Sequence, residues 1–220
     1  MTQNEIILKT TAFVKETLAD AEGGHDWFHI QRVLNNARQI SKTENVDSFI
    51  VSLGALLHDI ADAKFYDGDE AVGPNMAAEF LKSIQVKQSV IEHVIQIIEN
   101  ISFKNSLDRK GKKPFTSPEL QVIQDADRLD AIGAIGVARA FNYGGFKNRA
   151  MYDPSISPNL EMSKEEYKKS KAPTINHFYE KLLLLKDKMN TKTGKEMAEN
   201  RHQFMLEYLE QFYSEWKGSA

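Results

Sequence analysis

The stretch from Leu53 to Lys64 constrains the fold of this chain more than any other part. Its apolar residues recur at three- and four-residue spacing, which predicts a helix with one face in the core. That face is interrupted by His58 and Asp59, and Asp62 follows one turn later. Adjacent helix positions differ in direction by about 100°, so this imidazole and carboxylate can converge on one atom. A nitrogen and an oxygen ligand from a single turn suit a divalent metal ion.

Two further ligand candidates, His29 and Asp127, lie on the predicted inner faces of two other helices. A buried aspartate beside a buried histidine is costly to desolvate, and a bound metal ion is a common compensation. Mixed nitrogen and oxygen ligands suit Mn, Mg, Fe or Co in octahedral geometry, with about two positions left for water and a substrate oxygen. The four residues therefore predict an open metal site rather than a closed structural one.

Apolar residues recur at helical spacing through most of the chain, which predicts an all-α fold. We expect residues 1–220 to form a single domain. Basic and polar residues indicate an exposed loop at 103–115, and three prolines with little periodicity indicate a longer loop at about 142–173. Two helices with apolar stripes are predicted to close the chain, and their pairing makes a homodimer plausible.

The charge and composition of the chain argue against several classes of partner. A formal net charge of -3 gives no general attraction to nucleic acid or to an anionic membrane. No stretch of 18 consecutive apolar residues is present, and the N-terminus lacks a basic segment followed by an apolar run. The chain contains no cysteine, which fits a reducing compartment. We therefore expect a cytoplasmic protein that binds neither nucleic acid nor membrane.

The order of the four candidate ligands carries a family resemblance. His29 comes first, the pair His58-Asp59 second, and Asp127 last, within the phrase Gln-Asp-Ala-Asp-Arg-Leu-Asp. This order resembles the HD superfamily of metal-dependent phosphohydrolases, whose ligands run His, His-Asp, Asp. The surrounding residues are similar to a bacterial branch that includes nucleoside triphosphate pyrophosphohydrolases, and the similarity runs from about Gly24 to the C-terminus. It is carried by residues 25–29, 58–64, 127–133 and 174–179.

The resemblance implies an HD-domain helical bundle and one divalent ion, with Mn, Mg, Co, Ni or Fe as candidates. The family's last ligand falls on Asp127 rather than Asp125 or Asp130, because Asp127 stands in the Ala-Asp-basic-Leu phrase of related enzymes. Alarmone hydrolases of the superfamily continue the dipeptide as His-Asp-x-x-Glu-Asp. In this chain the last two positions of that motif hold Asp62 and Ala63, so one acid is shortened and the other is absent. This difference counts against an alarmone substrate.

The activity that the resemblance implies is hydrolysis of a nucleotide by metal-activated water, most closely that of a (deoxy)nucleoside triphosphate pyrophosphohydrolase. Asp62 is placed to orient or deprotonate the attacking water, although a helix-surface acid is an equal interpretation. His25 lies four residues before His29 and could serve as an acid group, or it could simply begin the helix after Gly23-Gly24.

Phosphate groups need fixed cations, and the candidates are two lysines and two arginines. Exposed surface residues are the competing interpretation for the lysines, and Arg128 could instead brace a carboxylate. These candidates are Lys64, Lys104, Arg128 and Arg139. The predicted loop at 142–173 is the candidate for substrate specificity, because Phe146, Tyr152 and Tyr167 could stack on a base.

Three other functions fit parts of the pattern. The chain could be a phosphatase or phosphodiesterase for another ester, or an HD domain that binds metal without catalysis. The intact ligand set argues against the second of these. A di-iron helix bundle would use Glu-x-x-His pairs such as Glu22 to His25 and Glu199 to His202, but Gly23-Gly24 interrupt the first pair.

Overall fold

The computed structural model describes residues 1–19, 21, 26–61, 69–101 and 115–219. Within these ranges every regular element is a helix, which confirms the prediction of an all-α fold. Helices α1 to α5 span Gln3–Thr17, Trp27–Ser41, Ser48–Leu57, Val72–Ser83 and Gln88–Asn100. Helices α6 to α10 span Pro118–Asp130, Gly133–Phe146, Lys164–Lys169, Thr174–Glu180 and Lys192–Trp216, with a 3₁₀ helix at Leu182–Lys188. None of the helices in the described ranges is long and apolar enough to cross a membrane.

The chain forms two compact units, Met1–Asp127 and Arg128–Ala220. The expectation of one domain over residues 1–220 stays a prediction. In the first unit α3 is the central helix, since it contacts α1, α2 and α5. Every residue from Phe49 to Leu57 is buried. Gly54 permits this packing, because a Cβ atom there would lie 2.5 Å from the Ile123 side chain.

Helix α3 begins after Asp47, whose carboxylate accepts hydrogen bonds from the backbone N–H groups of Phe49 and Ile50. It ends at Leu57, whereas the apolar spacing predicts a helix that continues toward Lys64. His58 explains the early end, because its ring bonds back to the Ala55 carbonyl, an acceptor left without an intrahelical partner at a helix end. The pair His58-Asp59 therefore lies just beyond the helix rather than in its middle.

The second unit is built around α10, which contacts α7 and the 3₁₀ helix. Helix α9 contacts α7 and the 3₁₀ helix as well. The core of this unit is rich in aromatic rings, which lie on α7, α9 and α10. They include Phe141, Phe178, Tyr208 and Phe212.

The segment 142–173 holds more helix than its sequence predicts. Helix α7 continues to Phe146, and its Gly144 lets Thr174 pack closely, because a Cβ atom there would collide with the threonine hydroxyl. Ser163 and Glu166 form a capping box that starts the short helix α8. Only 147–163 and 170–173 lack helix. The first of the two predicted C-terminal helices is divided, because Lys181 leaves helical geometry between α9 and the 3₁₀ helix.

Two helices end with a non-glycine residue in the left-handed region. Gln85 has φ 57° and Asn148 has φ 53°. After Gln85 the backbone N–H of Val86 donates to the Leu81 carbonyl, and after Asn148 the N–H of Arg149 donates to the Gly144 carbonyl. These bonds are those of the common helix-ending motif that usually places glycine at this position.

Candidate metal centre

His58 is fixed by its own backbone. Its Nδ1 atom lies 2.9 Å from the Ala55 carbonyl oxygen. Because a carbonyl oxygen only accepts hydrogen bonds, Nδ1 must carry the proton. In the neutral ring Nε2 then keeps its lone pair, which is the state that a metal ligand requires. The ring is buried, so its orientation is fixed by packing.

His29 lies in the first turn of α2. Asp26 caps this helix, and its carboxylate accepts a hydrogen bond of 2.9 Å from the His29 backbone N–H. The buried His29 ring meets the His58 ring edge to face, with 5.4 Å between centroids. Sequence reasoning missed the supporting role of Asp26, although an aspartate three residues before a buried histidine is a recognisable helix start.

The two imidazoles lie beside carboxylates. One ligand atom each from His29, His58 and Asp59 lies within 4.8 Å of the other two. Asp127 Oδ1 lies 3.5 Å from His29 Nε2 and 4.0 Å from His58 Nε2. Ligands around one ion at about 2.0–2.4 Å are themselves roughly 3–4.5 Å apart. The spacing and the chemistry of His29, His58 and Asp59 therefore fit a divalent ion, and Asp127, beside both histidines, is the fourth candidate ligand.

The three aspartates at the end of α6 differ in their surroundings. Asp125 and Asp130 are buried, and Asp130 pairs with Arg139. The Asp127 side chain is 42% exposed while its Oδ1 atom faces both histidines. The sequence places Asp127 on a buried stripe, whereas the structure leaves one side of its carboxylate open. A ligand beside an open position is what a site for water and substrate needs.

The other candidate residues divide into two groups. Asp62, His25, Lys64 and Lys104 lie outside the described residues. Both arginines make contacts within the C-terminal unit: Arg139 binds the carboxylate and the carbonyl of Asp130, and Arg128 donates to the Lys188 carbonyl at 2.7 Å. Their predicted role in phosphate binding stays a prediction.

The all-helical fold and this constellation are those of a known family, the HD domain, which matches residues 27–132. The match includes His29, His58-Asp59 and Asp127. A crystal structure of an HD-superfamily hydrolase from Bacillus thuringiensis is 42% identical, with a TM-score of 0.78, and covers 98% of this chain and 99% of its own. The chain belongs to the HD superfamily, as its motif order predicts.

Its relatives include the uncharacterized protein YpgQ of Bacillus subtilis, which is 38% identical over 206 residues, 94% of this chain and 91% of YpgQ. A crystal structure of YpgQ in complex with ADP has a TM-score of 0.75 at 35% identity, and covers 98% of this chain and 97% of its own. Another relative, protein L803 of Acanthamoeba polyphaga mimivirus, is 28% identical over 86% of this chain and 88% of its own length.

Proposed function

We propose that this protein is a metal-dependent phosphohydrolase of nucleotides, and specifically that it converts (deoxy)nucleoside triphosphates into monophosphates and pyrophosphate. The observation that carries this proposal is the buried pair His29 and His58 facing two carboxylates, with His58 Nε2 left able to bind a metal. The complex of the relative YpgQ with ADP supports a nucleotide as the ligand.

In this proposal His29, His58, Asp59 and Asp127 hold one divalent ion. When bound, the ion supplies a positive charge that acidifies water and polarises a phosphoryl oxygen. The protein supplies the other conditions. Imidazoles that bind a metal ion are neutral, so Asp59 and Asp127 are the two proposed ligands whose negative charge a divalent cation would balance against a phosphate. We expect substrate affinity to depend strictly on the metal.

The water oxygen would bond to the α-phosphorus, and the bond from that phosphorus to the bridging oxygen would break, so that pyrophosphate leaves. Asp62 is proposed to orient or deprotonate the attacking water, and His25 to serve as an acid. Lys64, Lys104, Arg128 and Arg139 are proposed to neutralise the triphosphate chain. The half-exposed side of Asp127 is the proposed approach for the substrate.

A substrate and metal screen tests the proposal. The full chain would be stripped of metal, loaded in turn with Mn, Mg, Co and Ni, and incubated with nucleoside mono-, di- and triphosphates. We expect pyrophosphate and monophosphate from triphosphates, with Mn among the active metals and no turnover in chelator. Release of phosphate alone would instead identify a phosphatase. Tight metal binding without turnover of any phosphate ester would identify a non-catalytic module.

A further inference from the structure

The C-terminal unit contains a cavity of about 330 Å³ that the proposed chemistry does not use. Its described lining residues are aromatic, apolar or neutral and polar. We call it the tyrosine pocket. Its principal lining residues are Tyr152, Pro154, Pro158, Asn176, Tyr179 and Tyr213.

One wall of the tyrosine pocket is held rigid by ring packing. Tyr152 meets the rings of Tyr213 and Trp216 edge to face, with centroids 5.3 and 5.1 Å apart. Tyr152 also meets the Phe212 ring at 6.0 Å. Such pairs prefer fixed edge-to-face geometry, so Tyr152 is positioned before any ligand arrives.

Another part of the lining is a loop tied to helix α9. Asn176 is buried, and its Nδ2 atom donates a hydrogen bond of 3.0 Å to the Ile156 carbonyl. The backbone N–H of Asn159 donates to the Glu180 carboxylate at 3.1 Å. Two prolines, Pro154 and Pro158, limit the conformations of this loop further. The walls therefore need little ordering when a ligand binds, which favours affinity.

The polar groups of the tyrosine pocket are neutral. Burial and a hydrogen bond with Tyr179 raise the pKa of Tyr213, so its hydroxyl keeps its proton. The side-chain amide of Asn176 has a second N–H and a carbonyl oxygen beyond the bond to Ile156. The lining thus offers ring faces together with uncharged hydrogen-bonding groups, and among the described lining residues no side chain carries a charge that would attract a phosphate.

We propose that the tyrosine pocket binds a neutral, planar heteroaromatic ring with hydrogen-bonding edges, the chemistry of a nucleobase in an uncharged nucleoside. The volume lies at the small end of ligand pockets and suits one ring system with its sugar. Aromatic side chains can stack on any of the common bases, while a side-chain amide can form hydrogen bonds with the edge of a base. This site goes beyond the proposed function, because it needs neither the metal ligands nor hydrolysis.

Fluorescence of Trp216 can report ligand binding in the tyrosine pocket, since its ring lies beside Tyr152. The chain has two tryptophans, so Trp27→Phe makes Trp216 the single indole reporter in the full chain. We expect a saturable change in its fluorescence with adenosine, guanosine, cytidine or uridine in the presence of chelator. Pyrophosphate and ribose 5-phosphate should produce no change.

Two variants assign the binding to the pocket. Tyr179→Ala removes a stacking face and should weaken nucleoside binding about 5- to 100-fold. Ser157→Arg fills the pocket from an exposed loop residue and should abolish binding while circular dichroism stays unchanged. The matched control is Tyr143→Ala, which removes an exposed tyrosine outside the pocket and should keep the affinity of the parent.

The proposal is overturned if no common nucleoside gives a saturable response in the folded protein. It is also overturned if Ser157→Arg binds as tightly as the parent. Binding that disappears when metal is removed would place the nucleoside at the metal cluster instead, and would likewise contradict the proposal.

Discussion

His29 and His58 of the N-terminal unit have surroundings opposite to those of His177 in the C-terminal unit. In the N-terminal unit His29 and His58 lie within 3.5–4.0 Å of a carboxylate oxygen of Asp127, and a ligand atom of Asp59 lies close by. In the C-terminal unit His177 is bonded through Nδ1 to the Tyr167 hydroxyl, and its charged neighbours are Lys181 and Arg149. Carboxylates beside an imidazole attract a metal cation to it, whereas positively charged side chains there repel a metal cation. The same side chain therefore suits a metal site in one unit and a structural role in the other.

The electrostatics of His177 follow from this difference. Desolvation, reinforced by the positive charges of Lys181 and Arg149, lowers the pKa of His177 to about 4. Burial raises the pKa of Tyr167 to about 12, so its hydroxyl is protonated and can donate to Nδ1. Both effects keep this ring neutral and occupied by a hydrogen bond at ordinary pH.

The largest expected effect comes from removing a histidine of the N-terminal unit. His58→Ala should reduce bound metal to background and abolish hydrolysis with it, because it removes one of the four proposed ligands. Metal content after Mn loading and dialysis measures this, with circular dichroism to verify folding. His177→Ala is the matched variant and should keep the metal content of the parent. Equal loss in both variants would place the metal elsewhere.

The second effect concerns pH. A neutral His177 in the folded state and a pKa of about 6.5 when unfolded mean that the unfolded chain binds more protons between pH 4 and 6.5. Stability due to this residue is therefore present above pH 6.5 and is lost as the pH falls toward 4. His177→Gln should remove about 1–2 kcal/mol of that pH dependence, allowing for solvent screening of the half-buried ring. Urea unfolding of both proteins at several pH values measures it. Parallel pH profiles would contradict the neutral state of His177.

The smallest effect belongs to His93, which is intermediate between the two cases. Its Nε2 atom lies 3.0 Å from the Ser117 hydroxyl and 3.5 Å from a Glu119 carboxylate oxygen. With one carboxylate and a serine as neighbours, we expect it to support packing rather than metal binding. His93→Gln should cost at most about 1 kcal/mol of unfolding free energy and leave metal content unchanged. Loss of metal in this variant would contradict the expectation that His93, with its single carboxylate neighbour, does not take part in metal binding.

Local patterns predicted a large part of this molecule. Apolar periodicity predicted the all-helical fold, because each amphipathic helix has to bury one face. The order of His29, His58-Asp59 and Asp127 predicted the family, because these residue types in this order, on separate segments of the chain, are the motif of the HD domain. Both patterns depend on spacing along the chain, which a sequence displays directly.

The features that escaped prediction depend on contacts between distant residues or on backbone atoms. The end of α3 at Leu57 depends on a hydrogen bond from the His58 ring to the Ala55 backbone carbonyl. The residue types in the sequence do not predict this bond. Gly144 in helix α7 packs closely against Thr174, thirty residues later, and this contact is not visible in the local sequence. The contact of Arg139 with Asp130 likewise forms only in the folded unit.

The left-handed residues at the ends of α4 and α7 are positions where a substitution could stabilise the protein. Gln85 and Asn148 occupy a backbone region that costs side-chain-bearing residues roughly 1 kcal/mol, and asparagine tolerates it better than glutamine. Glycine at Gln85 would relieve more strain than glycine at Asn148, and neither position belongs to the metal centre or the tyrosine pocket. A chain strengthened in this way would tolerate the loss of a buried ligand better. It would be the preferred scaffold for dissecting the metal centre one residue at a time.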